Sequence, residues 1–183
     1  MNKVVTSREE ILEKSREIVL QYGLNALNIR EVAKLCNVSI GSIYNYFQSK
    51  SELSAATVES IWTSVFHGSR RENFTSTVSC IEWIFDSLKK GAEEYPGFFT
   101  MHTGLQGDGN ITGKDMMKKS WSHIQKGICE VILNDKSIRS DAFNEDFTPE
   151  KFCEVVFALI ISAMQNQDFD SYMAVEITKR CLV

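Results

Sequence analysis

Helix-start signals crowded into the first third of the chain constrain its fold more than any other feature. The pattern Ser-x-x-Glu or Asn-x-x-Glu occurs at residues 7–10, 28–31 and 49–52. In such a capping box each side chain can accept a hydrogen bond from the other residue's free backbone amide, which marks the first turn of a helix. The boxes predict a helix over about 7–22 that stops at Gly23, a short helix over about 28–36 and a long helix over about 49–66.

A tight turn follows the second predicted helix. Asn37 tolerates the left-handed conformation that a sharp turn requires, and Ser39 can cap a further helix of about two turns that ends near Phe47. Three small or apolar residues fall where these two short helices must touch: Ala33, Val38 and Ile43. The spacing predicts a helix-turn-helix unit, in which two short helices cross steeply.

A recognition helix must bury one face on its own domain and present the other to the major groove of DNA. Ile43 and Phe47 supply the buried contacts. Arg30 and Lys50 flank the turn and can pair with phosphates, and the helix that starts near Lys50 offers free amides at its N-terminus. The expected DNA-binding residues are Arg30, Ser39, Ile40, Gly41, Ser42, Tyr44, Asn45, Tyr46 and Lys50. Tyr46 taken alone fits a core position equally well.

Residues 28–53 resemble the TetR/AcrR family of transcriptional regulators. The matching core is Val38-Ser39-x-Gly41-Ser42-Ile43-Tyr44-x-Tyr46-Phe47-x-Ser49-Lys50-x-x-Leu53. Three positions depart from the common family pattern: Asn37 replaces a frequent Gly, Ile40 a basic or polar residue, and Tyr46 a common His. The resemblance implies a homodimer that pairs through its last two long helices, binds a palindromic operator, and acts as a repressor released by a small effector.

The rest of the chain is also predicted to be helical, over about 75–95, 114–134, 148–166 and 169–182. A short helix or turn is expected over 98–105 and a loop over 104–113. Cys153 to Met164 is apolar almost all the way round, as expected of a helix that packs on both its own domain and a partner. The fold class is therefore all-α, with a DNA-binding domain over 1–48 and an effector-binding and dimerisation domain over 49–183.

Aromatic side chains are concentrated outside the predicted DNA-binding domain, which favours a small apolar or aromatic effector. The candidate pocket residues are Trp62, Phe66, Trp83, Phe98, Phe99, Met101, His102, Met117 and Trp121. Residues of these types at helical spacing are also typical of an ordinary core. A DNA-binding protein without any effector is therefore a second hypothesis, and a large enclosed cavity in the C-terminal domain would argue against it.

The charge distribution, the catalytic motifs that are missing and the cysteines agree with a DNA-binding regulator, although none of them identifies one alone. Residues 1–50 carry a net charge of +2, whereas the whole chain carries -4. No catalytic triad, phosphate loop or metal-ligand spacing is present, so neither an enzyme nor a cofactor is expected. The five cysteines are scattered, which indicates reduced thiols, and a buried apolar role is expected for each. The longest apolar stretch is too short to span a membrane, so the protein is expected in the cytoplasm.

Overall fold

The computed structural model describes residues 6–67, 74–99 and 111–183, with only the backbone of His67, residues 111–120 and His123. Within these ranges the chain forms eight α-helices, a 3-10 turn and no β-strand, which confirms the all-α prediction. The helices are α1 (Arg8–Tyr22), α2 (Ile29–Leu35), α3 (Ile40–Tyr44), α4 (Lys50–His67), α5 (Thr77–Glu94), α6 (Ile111–Asn134), α7 (Pro149–Asn166) and α8 (Tyr172–Leu182), with the 3-10 turn at Leu24–Ala26. None of the described helices is long and apolar enough to cross a bilayer.

All three capping boxes form their forward hydrogen bond and none forms the expected reciprocal bond. The amide of the Glu donates to Ser7 Oγ, Asn28 Oδ1 and Ser49 Oγ at 3.0–3.1 Å. The carboxylates bind elsewhere: Glu10 accepts from the Thr6 hydroxyl, and Glu52 accepts from the Gln48 amide at 2.7 Å. The helix starts were therefore predicted correctly, because one such bond is enough to cap a helix.

The helix-turn-helix forms where the sequence predicted it. Asn37 has a φ of 54°, and the amide of Val38 donates to the carbonyl of Ala33 at 2.9 Å. The second helix of this unit, α3, is shorter than predicted: it ends at Tyr44 rather than near Phe47. The chain turns there so that Phe47 can enter the core, where its side chain is fully buried.

Two hydrophobic cores meet along α1 and α4. The first core is built from α1, α2, α3 and the first half of α4, and extends to Ala56. The second begins with Val19 and Ile61 and continues through α5 to α8. Arg16 of α1 also donates a hydrogen bond to Ser60 of α4. Helix α4 is therefore shared, with its N-terminal half in the first core and its C-terminal half in the second.

Some details of the helices differ from the sequence predictions. Tyr22, at the end of α1, is 72% exposed, whereas Leu24, just after the turn at Gly23, packs against both cores. Helix α6 begins three residues early, at Ile111, since the single Gly113 does not stop it. Helix α8 begins at Tyr172 rather than near Phe169.

The late start of α8 has a local cause. Gln167 ends α7 in the left-handed region, with a φ of 54°. Asp168 then accepts a hydrogen bond from the Asp170 amide, and Asp170 accepts one from the Tyr172 amide at 2.9 Å. Such Asx turns hold the backbone out of a helix.

Only Phe98 and Phe99 of the short helix or turn predicted over 98–105 lie within the described residues, and the loop predicted over 104–113 lies mostly outside them.

Candidate nucleic-acid interface

The start of α2, the exposed face of α3 and the start of α4 enclose an open groove of about 480 Å³. We call it the recognition groove. Its lining consists of Asn28, Ile29, Arg30, Ile40, Tyr44 and Lys50. Four of these were predicted to bind DNA from the sequence, and the fold brings them together from three separate helices.

One side of helix α3 packs into the first core, so its opposite side faces the recognition groove. Ile43 is fully buried, whereas Ile40 is 43% exposed and Tyr44 is 50% exposed. Asn45 is also exposed. Ile40 and Tyr44 lie one helical turn apart, so they share one side of the helix.

Ser39, the N-cap of α3, and Ser42 within the helix form hydrogen bonds that stabilise its first turn. Ser39 Oγ accepts from the Ser42 amide at 3.1 Å and lies 2.9 Å from Ser42 Oγ. Gly41 is exposed, and a side chain added there would meet only Ser39 Oγ, at 3.6 Å. The backbone at Gly41 can therefore approach another surface closely.

Arg30 and Lys50 place two positive charges on the lining of the groove. Both side chains are exposed, and neither forms an ion pair within the described part of the chain. Their charges are thus available to phosphates. The free amides expected at the start of α4 are partly occupied, since Glu52 and Gln48 already donate their backbone amides to side chains.

Tyr46 does not line the recognition groove. Its side chain is half-buried against the first core, and its hydroxyl donates to the carbonyl oxygen of Thr6 at 2.7 Å. The structure thus assigns this tyrosine an internal contact, the core position that the sequence had left open.

Two residues of the groove lining and one contact of the first core were not predicted from the sequence. Asn28 and Ile29 form part of the lining. The guanidinium of Arg8 lies 4.8 Å from the ring centroid of Phe47, a cation–π contact that joins the start of α1 to the end of the turn. The capping box at Asn28 was recognised, and its position just before Arg30 was the signal that could have placed this asparagine at the groove.

Five of the predicted pocket residues form one aromatic cluster in the second core. They are Trp62, Phe66, Trp83, Phe98 and Phe99, joined by Phe74, Tyr95 and Phe169, which were not among the predicted pocket residues. The centroids of neighbouring rings are 5.1–6.4 Å apart, for example 5.1 Å between Trp62 and Phe99 and 6.4 Å between Phe99 and Phe169. Trp62 is 5% exposed, yet its indole Nε1 has no hydrogen-bond partner among the described residues.

The remaining pocket candidates are not part of this cluster. Trp121 packs against Phe157 of α7, at a centroid distance of 5.4 Å. Met101 and His102 lie outside the described residues, as does the side chain of Met117.

The described cysteines are free thiols, as predicted. Burial raises the pKa of Cys80 to about 12, and the pKa of Cys153 rises to about 12 through burial and the neighbouring Cys129. Both remain protonated at neutral pH, which agrees with the predicted buried role for these two.

Comparison with known proteins agrees with the geometry. Residues 11–57 match the family profile described as bacterial regulatory proteins, tetR family. The matched segment runs from within α1 into α4 and contains the whole recognition groove. No curated protein matches the chain.

Solved structures share the fold over nearly the whole chain. A transcriptional regulator from Rhodococcus sp. is 17% identical, with a TM-score of 0.64 over 92% of this chain and 87% of that one. A tetR-type transcriptional regulator from Streptomyces avermitilis is 15% identical, with a TM-score of 0.66 over 96% of this chain and 98% of that one. FadR from Bacillus subtilis, a transcriptional regulator in complex with stearoyl-CoA, is 17% identical, with a TM-score of 0.60 over 93% and 97%.

Proposed function

Residues 11–57 make this chain a member of the tetR family of bacterial regulatory proteins, and on that premise we propose that it regulates transcription by binding duplex DNA through the recognition groove. The observation that carries the proposal is the junction of three helices, where an exposed recognition face meets two cations that form no ion pair with any described residue. Helix α3 enters the major groove, while Arg30 and Lys50 hold phosphates on either side.

The nine residues expected to bind DNA divide into three roles in this proposal. Ile40, Gly41, Tyr44 and Asn45 face the bases, and the cations fix the position of the domain on the backbone. Ser39 and Ser42 hold the start of α3, and Tyr46 holds the end of the turn against Thr6. Contacts to phosphate position a protein on DNA, whereas contacts to base edges select the sequence.

A homodimer supplies the two recognition helices that a palindromic operator needs, spaced roughly 34–36 Å apart. Helices α7 and α8 are the proposed interface. Val155, Ala158 and Ser162 recur along one exposed side of α7, and Tyr172 and Met173 of α8 are more than 60% exposed. Small and apolar side chains of this kind would be buried against a second copy.

A small apolar or aromatic effector is proposed to bind at the aromatic cluster. The indole N–H of Trp62 supports this placement, because it finds no acceptor in the described part of the chain and a buried donor left unpaired costs about 1–3 kcal/mol. A ligand with an apolar body and one acceptor atom would remove that cost. The FadR structure contains a molecule with a long apolar chain, stearoyl-CoA.

Helix α4 offers a direct route from effector to DNA. It carries Lys50 at the recognition groove and Trp62 in the aromatic cluster twelve residues later, ~18 Å along the helix axis. An effector that shifts this helix would move the groove with it and change the distance between the two recognition helices. The protein is then a repressor that leaves its operator when the effector binds.

The packing of the aromatic cluster also favours a second candidate function, a DNA-binding regulator without a small effector. Its rings are already in contact with one another at 5.1–6.4 Å. A partner protein or the concentration of the regulator itself would then control operator occupancy.

Selection of bound duplexes from a random-sequence library tests the DNA-binding proposal. We expect enrichment of one two-fold symmetric sequence, and an unchanged pool would overturn the proposal.

The effector proposal is tested on the complex of the protein with this duplex. Compounds that alter tryptophan fluorescence, with stearoyl-CoA as the first probe, are added to it. A coupled effector lowers operator affinity about 5–150-fold; a compound that binds at Trp62 and leaves the affinity unchanged would favour the effector-free alternative.

A further inference from the structure

The recognition helix carries no charged side chain. From Ser39 to Asn45 its residues are Ser, Ile, Gly, Ser, Ile, Tyr and Asn. An Arg or Lys that pairs with guanine, which is the commonest specific contact in the major groove, is therefore missing from this helix. The helix must read its sequence by other means.

Ile40 is the exposed apolar side chain at the start of α3. It is 43% exposed, whereas Ile43, three residues later, is fully buried. It shares the lining of the recognition groove with Tyr44, Arg30 and Lys50. The apolar surface of Ile40 thus lies on a face whose nearby positive charges would be complementary to a polyanion.

The chemistry of the DNA major groove identifies what Ile40 can contact. Guanine, cytosine and adenine present hydrogen-bonding groups there, and thymine presents a carbonyl oxygen together with the C5-methyl group. An isoleucine laid over a base edge without that methyl would cover polar groups and return no hydrogen bond. The methyl group is its matching apolar partner.

We propose that Ile40 is a specificity-determining residue that packs against the 5-methyl group of one thymine in each half of the operator. This inference rests on the proposed DNA binding through the recognition groove and adds the base class that the groove selects. Tyr44 and Asn45, which carry polar groups, read neighbouring positions.

Removal of a single methyl group from the DNA measures this contact. Deoxyuridine pairs with adenine as thymidine does but lacks the 5-methyl group. The probe is the duplex enriched from the random library, with each thymidine replaced in turn by deoxyuridine. Burial of one methyl group corresponds to about a four-fold change in affinity, so we expect one symmetric pair of thymidines whose joint replacement weakens binding about fifteen-fold.

The Ile40→Ser variant identifies the residue that reads the methyl group. Ile40 is partly exposed, so this change leaves the first core intact, which thermal unfolding checks. We expect the variant to bind the thymidine and deoxyuridine duplexes equally at that pair of positions. Leu20→Ser is the matched control, because Leu20 is 45% exposed on α1 and does not line the groove; it should keep the full sensitivity.

Three outcomes would overturn the inference. A wild-type protein that enriches a duplex but shows no deoxyuridine-sensitive position would refute the methyl contact while DNA binding stands. Sensitivity that persists in Ile40→Ser and vanishes in Tyr44→Ser would assign the contact to the tyrosine. Failure to enrich any duplex would refute the proposed function, and the inference with it.

Discussion

The hydroxyl of Tyr46 donates a 2.7 Å hydrogen bond to the backbone carbonyl of Thr6, forty residues earlier in the chain. Thr6 precedes the first turn of α1 and is itself 5% exposed. The bond therefore ties the end of the helix-turn-helix to the start of the domain. Arg8, whose guanidinium lies over Phe47, makes a second contact between the same two regions.

Tyr46→Phe removes only this hydroxyl. We expect the free energy of unfolding to fall by about 0.5–1.5 kcal/mol, since the Thr6 carbonyl loses its partner. Affinity for the selected duplex should stay within about two-fold of wild type, or ~0.4 kcal/mol, because the lost hydroxyl faces Thr6 and Tyr46 does not line the recognition groove. Urea unfolding and fluorescence anisotropy measure the two quantities. A large loss of affinity in a fully stable variant would return Tyr46 to the DNA-contact residues.

Asp135 joins the end of α6 to the start of α5. Its carboxylate accepts from the Thr77 amide at 2.6 Å and from the amide and hydroxyl of Ser137 at 2.9 and 2.6 Å. Burial alone would raise the pKa of this carboxyl, but these hydrogen bonds outweigh it and hold the pKa below its ordinary value of 3.8. The stabilisation is therefore complete above about pH 4 and is lost as the pH falls below that value.

Asp135→Asn tests this linkage. We expect the variant to lose about 1–3 kcal/mol of stability at pH 7, because an amide accepts fewer and weaker bonds than the carboxylate. The difference between wild type and variant should shrink as the pH falls below 4. Urea unfolding at pH 7 and pH 3 provides the comparison, and a difference that is constant with pH would show that the charge of Asp135 contributes nothing.

Gly91 of α5 is packed tightly against Val65 of α4. A side chain there would come within 2.8 Å of Val65 Cγ2 and 2.9 Å of Phe99 Cζ. Gly91→Ala should destabilise the protein by about 1–3 kcal/mol through overpacking. Gly127→Ala is the matched control, since that helical glycine has open space around it and should gain about 0.4–1 kcal/mol. Thermal unfolding that gave both variants the same sign would contradict the close packing.

The positive charges of the recognition groove should appear in the salt dependence of binding. Log K falls with log salt, and each lost phosphate contact makes this negative slope shallower by about 0.9, so Lys50→Ala and Arg30→Ala should each make it shallower by ~1.8 in a dimer. Lys89→Ala, an exposed lysine on α5, is the control and should leave the slope unchanged. Identical slopes in all four proteins would place the phosphate contacts elsewhere.

Local rules predicted the first domain well. Caps at Ser7, Asn28, Ser39 and Ser49 act within three residues of themselves, and the left-handed turn at Asn37 depends on one side chain and its neighbours. Such features are encoded in short stretches of sequence. This is why the helix starts and the turn of the helix-turn-helix could be predicted from the sequence.

Long-range contacts could not be anticipated in the same way. The partner of Tyr46 lies at Thr6, and that of Asp135 lies at Thr77, so no local spacing reveals either bond. The aromatic cluster draws Phe74 and Phe169 from distant segments for the same reason. The division into domains at residues 48 and 49 stays a prediction, because α4 contributes to both cores.

Binding of the Tyr44→Ala variant to the duplex selected by the wild-type protein tests the central claim most directly. Tyr44 is 50% exposed in the recognition groove, and Tyr22, which is 72% exposed at the end of α1, provides a matched tyrosine away from it. By equilibrium anisotropy, Tyr44→Ala should bind about ten-fold more weakly, or ~1.4 kcal/mol, while Tyr22→Ala binds as the wild type does. Equal affinity of Tyr44→Ala and wild type would contradict the assignment of this groove as the DNA-reading surface.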